Sequence, residues 1–167
     1  MARCEMFKIG DRVVYPMHGA GFIEGTETKT IGGQQKEYYT ISILCGNIRL
    51  LLPVSNNGHI QLREVINKSK AREILDYFKT LEIDVSAPWG KRYKENVDRL
   101  KSGTPEGVAE VAKALMLRDK TVGLSTGDRQ VMVMAKNILC SELSLALDTS
   151  MERVQHNLQS VVDELVG

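Results

Sequence analysis

The hydrophobic pattern changes period near residue 66, and that switch divides the chain into a part suited to strands and a part suited to helices. Residues 1–66 run in short apolar or alternating stretches broken by glycine and proline. Residues 67–167 instead repeat apolar positions at i, i+3 and i+4. In the first part, Phe7–Ile9 leads into the turn Gly10-Asp11, and Arg12–Tyr15 stops at Pro16. The stretch 19–28 is glycine-rich, which suits a strongly bent sheet whose backbones approach closely. Gly32-Gly33 signals a hairpin before Glu37–Leu44, and Cys45-Gly46-Asn47 a tight turn before Ile48–Leu52. About five strands with no helix between them predict a small antiparallel barrel. Such a module has little room for a buried active site and reads as a binding platform.

In the second part, Ala71, Ile74, Leu75, Phe78 and Leu81 mark the first helix. Ser86-Ala87-Pro88 predicts the start of the next, with Tyr93, Val97 and Leu100 as its stripe. Thr104 reads as an N-cap with Pro105 at the first helical position, followed by the inward face Val108, Val111, Ala112 and Leu115. Ser125-x-x-Asp128 and Thr149-x-x-Glu152 are two further capping signals. The expectation is an α+β chain of two domains: an antiparallel β-barrel at 1–66, then an all-α bundle of about five helices at 67–167.

The inventory of the 167 residues is poor in catalytic chemistry. His18, His59 and His156 are the only histidines, and none has a partner at metal-binding or catalytic spacing. No GxGxxG, GxxxxGK[ST], GxSxG or HExxH is present. His18 sits in a Gly-rich turn, but a strand follows it rather than the helix N-terminus that a phosphate loop needs. Cys4, Cys45 and Cys140 are odd in number and widely spaced, which suits reduced thiols and neither a disulfide framework nor a zinc site. The expectation is no enzyme, no cofactor, no metal and no small-molecule substrate. The N-terminus lacks the apolar core of a signal peptide, and the apolar run Leu50–Val54 is far short of a membrane span. A cytoplasmic protein without a membrane partner is therefore expected.

Charge is informative once it is divided along the chain. The formal net charge is +1 overall, but it is +1 for residues 1–66, +3 for 67–101 and −3 for 102–167. The densest basic stretch, Lys91-Arg92-Tyr93-Lys94, directly follows Trp89, the single tryptophan. A general polyanion binder is excluded by the near-neutral total, whereas a few placed phosphate contacts are not. Two readings of Trp89 stand side by side. It plugs the gap between barrel and bundle, or it is an apolar wedge for a base step, with cations on the flanking phosphates. Nothing nearby resembles a cluster that reads base edges.

An ordered set of motifs then resembles the CarD/CdnL-type bacterial transcription regulators, whose N-terminal module is shared with transcription-repair coupling factors. It runs from Phe7-Lys8-Ile9-Gly10-Asp11-x-Val13-Val14-Tyr15-Pro16-x-His18-Gly19-Ala20-Gly21 through Glu27–Ile31, Gly33-x-Gln35-Lys36-Glu37-Tyr38 and Val65. It resumes at Trp89-x-Lys91-Arg92-Tyr93-Lys94-x-Asn96, Gly123-Leu124-Ser125 and Ala135-x-x-Ile138-Leu139-x-x-Glu142-Leu143. The resemblance implies a Tudor-like barrel that binds the β subunit of RNA polymerase, partly by strand addition. It further implies a helical domain on promoter DNA at the upstream edge of the transcription bubble, in a nucleoid-associated protein. Lys29 matches a polymerase-contacting basic position. A second such position falls on Leu51, a departure for which Arg49, two residues away on the same strand face, is the candidate substitute. Trp89 matches the wedge, and Lys91, Arg92 and Arg129 match DNA-facing cations, with Lys94 in the same basic stretch. The implied function is stabilisation of the open promoter complex through minor-groove contacts that are largely independent of sequence. Two rivals remain. One is a protein adaptor whose last helix, with Met151, Val154, Leu158, Val161 and Leu165, dimerises. The other is an RNA-binding barrel, disfavoured because Tyr38 and Tyr39 point to opposite faces.

Overall fold

Glycine sets the curvature of the sheet. In the computed structural model, which describes residues 7–54, 62–84, 86 and 88–167, a side chain on Gly21 would begin 1.8 Å from the carbonyl oxygen of Ser42 on the neighbouring strand. Only a residue without Cβ allows that approach. The strands are β1 (Arg12–Tyr15), β2 (Gly19–Ile31), β3 (Gln34–Ile43), β4 (Ile48–Pro53) and β5 (Arg63–Glu64). They form one antiparallel sheet in the order β4-β3-β2-β1-β5. Gly32 and Gly33, at φ of 60° and 79°, make the two-residue hairpin turn between β2 and β3 that their sequence predicts. A register break between Ile23 and Gly25 leaves Glu24 as a bulge.

Strand alternation assigns the two faces of the sheet. Val13, Ile23, Tyr39, Ile41, Ile43 and Leu52 form its own apolar cluster. Val14 and Ala20 lie opposite one another on the other face and are equally buried, because the helical module covers them. Beyond the bulge, Thr26–Ile31 and Gln34–Glu37 are exposed on both faces, so the hairpin projects as a two-stranded arm.

Five helices follow: α1 (Lys68–Thr80), α2 (Trp89–Ser102), α3 (Pro105–Thr121), α4 (Thr126–Leu147) and α5 (Met151–Val166). Thr104 and Ser125 cap α3 and α4 as predicted, accepting from the backbone N–H of Gly107 (3.2 Å) and Asp128 (3.1 Å). The helices share a second apolar core built on Ile74, Phe78, Leu115, Leu139, Leu143 and Leu158. α4 is long and apolar enough to cross a membrane by composition, but 56% of its most apolar window is buried inside the protein.

Four local expectations are corrected. Phe7–Ile9 is no strand: Ile9 and Gly10 form a turn closed by the Asp11 carboxylate on the Lys8 N–H (2.7 Å). The fifth strand is Arg63–Glu64, whose two residues pair with Val14 and Val13 and are too few to leave a periodic signal. Pro88, rather than Ser86, occupies the N-cap of α2, and Ser86 instead binds the Asp84 carboxylate. Ala87 lies outside the described residues. Finally, Ser150 rather than Thr149 caps α5, because Asp148 turns left-handed (φ 56°) and the Thr149 N–H is spent on the Ser144 carbonyl (3.0 Å).

The modules are joined by polar contacts centred on α4. Arg63 grips Glu142 with both ends of its guanidinium, at 2.5 and 2.6 Å, and its Nε donates to the Gly103 carbonyl at 2.9 Å. Glu142 also accepts the Ile66 N–H (3.1 Å), while Ser141 Oγ accepts the Ala20 N–H (2.9 Å). Arg12 reaches the Leu145 carbonyl at 2.6 Å.

The backbone approach at Gly21 predicts a contrast between two strand glycines. Gly21→Ala should destabilise the protein by about 2 kcal/mol or more, through forced displacement of β3. Gly25→Ala, with open space around its Cβ position, should change stability by less than about 0.5 kcal/mol. Urea denaturation of both variants checks this.

Candidate functional site

α2 begins at the tryptophan. Pro88 sets the entry, so Trp89 stands at the first helical position, with Tyr93 one turn later on the same face. The two rings stack, with centroids 5.3 Å apart and planes 21° from parallel. Trp89 is 51% exposed, and among the described residues its partners are Tyr93, Ser125 and Asp128 of the helical module. It therefore does not plug the gap between sheet and helices. Leaving half an indole in water forgoes roughly 2–3 kcal/mol of burial.

What holds the ring is the start of α4. The indole N–H donates to Asp128 Oδ2 (3.1 Å) and lies 3.3 Å from Ser125 Oγ. The same carboxylate oxygen accepts Arg92 Nη2 at 3.0 Å. Asp128 is 1% exposed, and Tyr93 closes over Gly127 at the N-terminal turn of α4. Trp89, Tyr93 and Arg92 on α2 are thus clamped onto the first turn of α4 by one buried carboxylate.

The expected cations separate into two groups. Lys91 and Lys94 are exposed on α2, Lys91 with a long 3.9 Å pair to Glu95. Arg129, on the first turn of α4, is about half exposed and paired with Asp119 at 3.0 Å. All three are exposed to solvent. Arg92 is different: its side chain is 10% exposed and turned inward onto Asp128. Its inward turn depends on a carboxylate 36 residues away, which no local pattern carries. Asp128 is the site residue that sequence reasoning took only for part of a capping signal. An acidic side chain in the first turn of a largely apolar helix was the available clue.

The second group of expected residues lies on the sheet. Lys36, Tyr38, Thr40 and Ser42 alternate onto one face of β3, and their cross-strand partners include Lys29, Leu51 and Arg49. The three residues therefore share a face of the sheet, the one opposite its apolar cluster. Lys29 stands on the arm, directly across from Lys36, so two like charges meet in an exposed pair. Arg49 is 70% exposed and bonded to the bulge residue Glu24 at 3.0 Å. Leu51, 39% exposed, follows on the same face. β4 ends the described sheet order, so its outer edge offers unpaired backbone groups alongside exposed Ile48 and Leu51.

Both halves match described protein families. Residues 7–66 match the CarD-like/TRCF RID domain, and residues 73–159 match the C-terminal domain of CarD. The chain is 36% identical over 140 residues to the candidate transcription factor YdeB of Bacillus subtilis (strain 168), an alignment covering 84% of this chain and 92% of that protein.

Burial predicts opposite consequences for cations that are neighbours in sequence. Arg92→Ala should cost about 3 kcal/mol, because Asp128 is left buried without its counter-ion. Lys91→Ala and Arg129→Ala should each change stability by no more than about 0.5 kcal/mol. Chemical denaturation of the three variants makes the comparison.

Proposed function

The chain belongs to the CarD-like family of transcription factors, and from that premise we propose that it docks on the β subunit of RNA polymerase and stabilises the open promoter complex with Trp89. The family is one of transcription regulators rather than enzymes, and its N-terminal module is of the RNA-polymerase-interacting type. The observation that carries the reading is the half-exposed indole, stacked on Tyr93 and tied to Asp128. A lone tryptophan kept in water at that cost, yet anchored at its polar edge, is suited to meet something flat and apolar. A base step at the edge of a bubble has that chemistry, and inserting a ring there offsets part of the few kcal/mol needed to unstack it.

In this reading the cations divide the work with the ring. Lys91, Lys94 and Arg129 contact the phosphates beside the wedge, which position without reading sequence. Arg92 holds the ring's support rather than the DNA. Few phosphates are neutralised, so affinity for DNA alone is weak and strongly salt-dependent. The sheet compensates by tethering the protein to polymerase, which raises the local concentration of the helical module at the promoter. Lys29, Arg49 and the edge of β4 form the tether, with strand addition along β4 supplying ordered backbone hydrogen bonds. Arg49 takes the place of the basic side chain absent at Leu51. Near-balanced promoter opening turns a wedge of a few kcal/mol into a large change in open-complex population. Nucleoid association follows from polymerase binding.

Two variants of the full chain test the halves separately. Trp89→Ala should shorten the lifetime of a promoter open complex about tenfold while retaining polymerase binding. Lys29→Glu should weaken retention of the protein on polymerase β subunit by a similar factor, since a reversed charge at an interface costs one to several kcal/mol. Unchanged open-complex lifetime with Trp89→Ala would leave a polymerase-bound adaptor and remove the wedge.

A further inference from the structure

We propose that Asp128 is the positioning residue of Trp89, setting the angle at which the indole is presented; its role in promoter opening rests on the wedge reading above. Two ion pairs in this protein show what distinguishes it. Arg63 and Glu142 engage through both carboxylate oxygens, as a pair built to hold two elements together does. In Asp128 a single oxygen, Oδ2, accepts both the Trp89 N–H and Arg92, while Oδ1 is buried and has no hydrogen-bond partner among the described residues. A purely structural pair gains nothing from loading one oxygen and burying the other unpaired. The arrangement does serve the indole: an N–H donated to a carboxylate is held more firmly than one donated to a neutral acceptor.

The remaining contacts restrict the same ring. Stacking on Tyr93 fixes the plane of the indole, but a stacked ring can still slide and turn within that plane. The bond to Asp128 removes this freedom by fixing one edge. Ser125 Oγ, at 3.3 Å, is also engaged as the α4 N-cap, so it is a poor substitute acceptor. Because Asp128 sits in the first turn of α4, the ring's orientation is referred to the longest helix of the module.

Trp89 is the single tryptophan, so time-resolved fluorescence anisotropy of the full chain follows this ring alone. In the unsubstituted protein the anisotropy should decay with overall tumbling. Asp128→Asn keeps the shape but removes the charge. The double variant Asp128→Leu with Arg92→Met replaces the buried pair by apolar side chains of similar volume, a change such sites tolerate, so folding survives while the indole loses its acceptor. In both variants a fast component should appear, and stabilisation of a polymerase-held open complex should fall about tenfold, the value of one charge-assisted hydrogen bond. A folded double variant whose anisotropy decay matches the unsubstituted protein overturns the proposal, whatever happens at the promoter. A mobilised ring with no loss at the promoter upholds the positioning of the ring and overturns the wedge reading instead.

Discussion

The join between sheet and helices rests on a carboxylate in α4. Glu142 is 3% exposed, takes both ends of the Arg63 guanidinium and accepts the Ile66 backbone N–H. The preceding residue, Ser141, accepts the Ala20 N–H of β2. Most of these bonds are charge-assisted, and they cross from the shortest strand to the longest helix. Sheet and helices have separate apolar cores, and beside the packing of the helices over Val14 and Ala20 it is this join that fixes them to each other. With it, the face of the sheet bearing Lys29 and Arg49 and the helix end bearing Trp89 belong to one frame.

That frame gives the proposed function its economy. A tether raises local concentration whether or not it is stiff, but a stiff one also restricts where the tethered group can be. α4 reaches both ends of the problem: Ser141 and Glu142 hold the sheet, while Ser125 and Asp128 hold the indole at the other end. A helix is a rigid spacer at 1.5 Å per residue, so the distance from the sheet to the indole is set by the length of α4. The buried face of α4 also explains why so apolar a helix belongs to a core and not to a membrane.

Local rules were legible in the sequence wherever the determining atoms are neighbours. The Gly32-Gly33 hairpin and the caps at Thr104 and Ser125 depend on residues within a few positions, and they are found as read. The need for glycine at Gly21 was readable as a tendency, although its partner Ser42 was not. Strand β5 escaped notice because two residues have no period. Arg92 and Lys113 show the same limit in helices. Arg92 lies in a basic run yet is buried on Asp128. Lys113 lies in an apolar stretch and is 1% exposed, its ammonium donating to the Lys79 and Leu81 carbonyls at the end of α1. Both side chains are held by partners more than 30 positions away, and sequence spacing carries no trace of such pairs.

Whether tether and wedge must be one rigid piece is tested most directly at Glu142. The lifetime of a promoter open complex, measured at saturating protein with Glu142→Gln beside the unsubstituted chain, isolates the join, because Trp89, Lys29 and Arg49 are untouched. A rigid frame predicts a lifetime shortened several-fold while affinity for polymerase and the anisotropy of Trp89 are retained. An unchanged lifetime, in a variant whose sheet and helices are shown by exchange or scattering to have come apart, would contradict it and leave the helical module a wedge on a flexible leash.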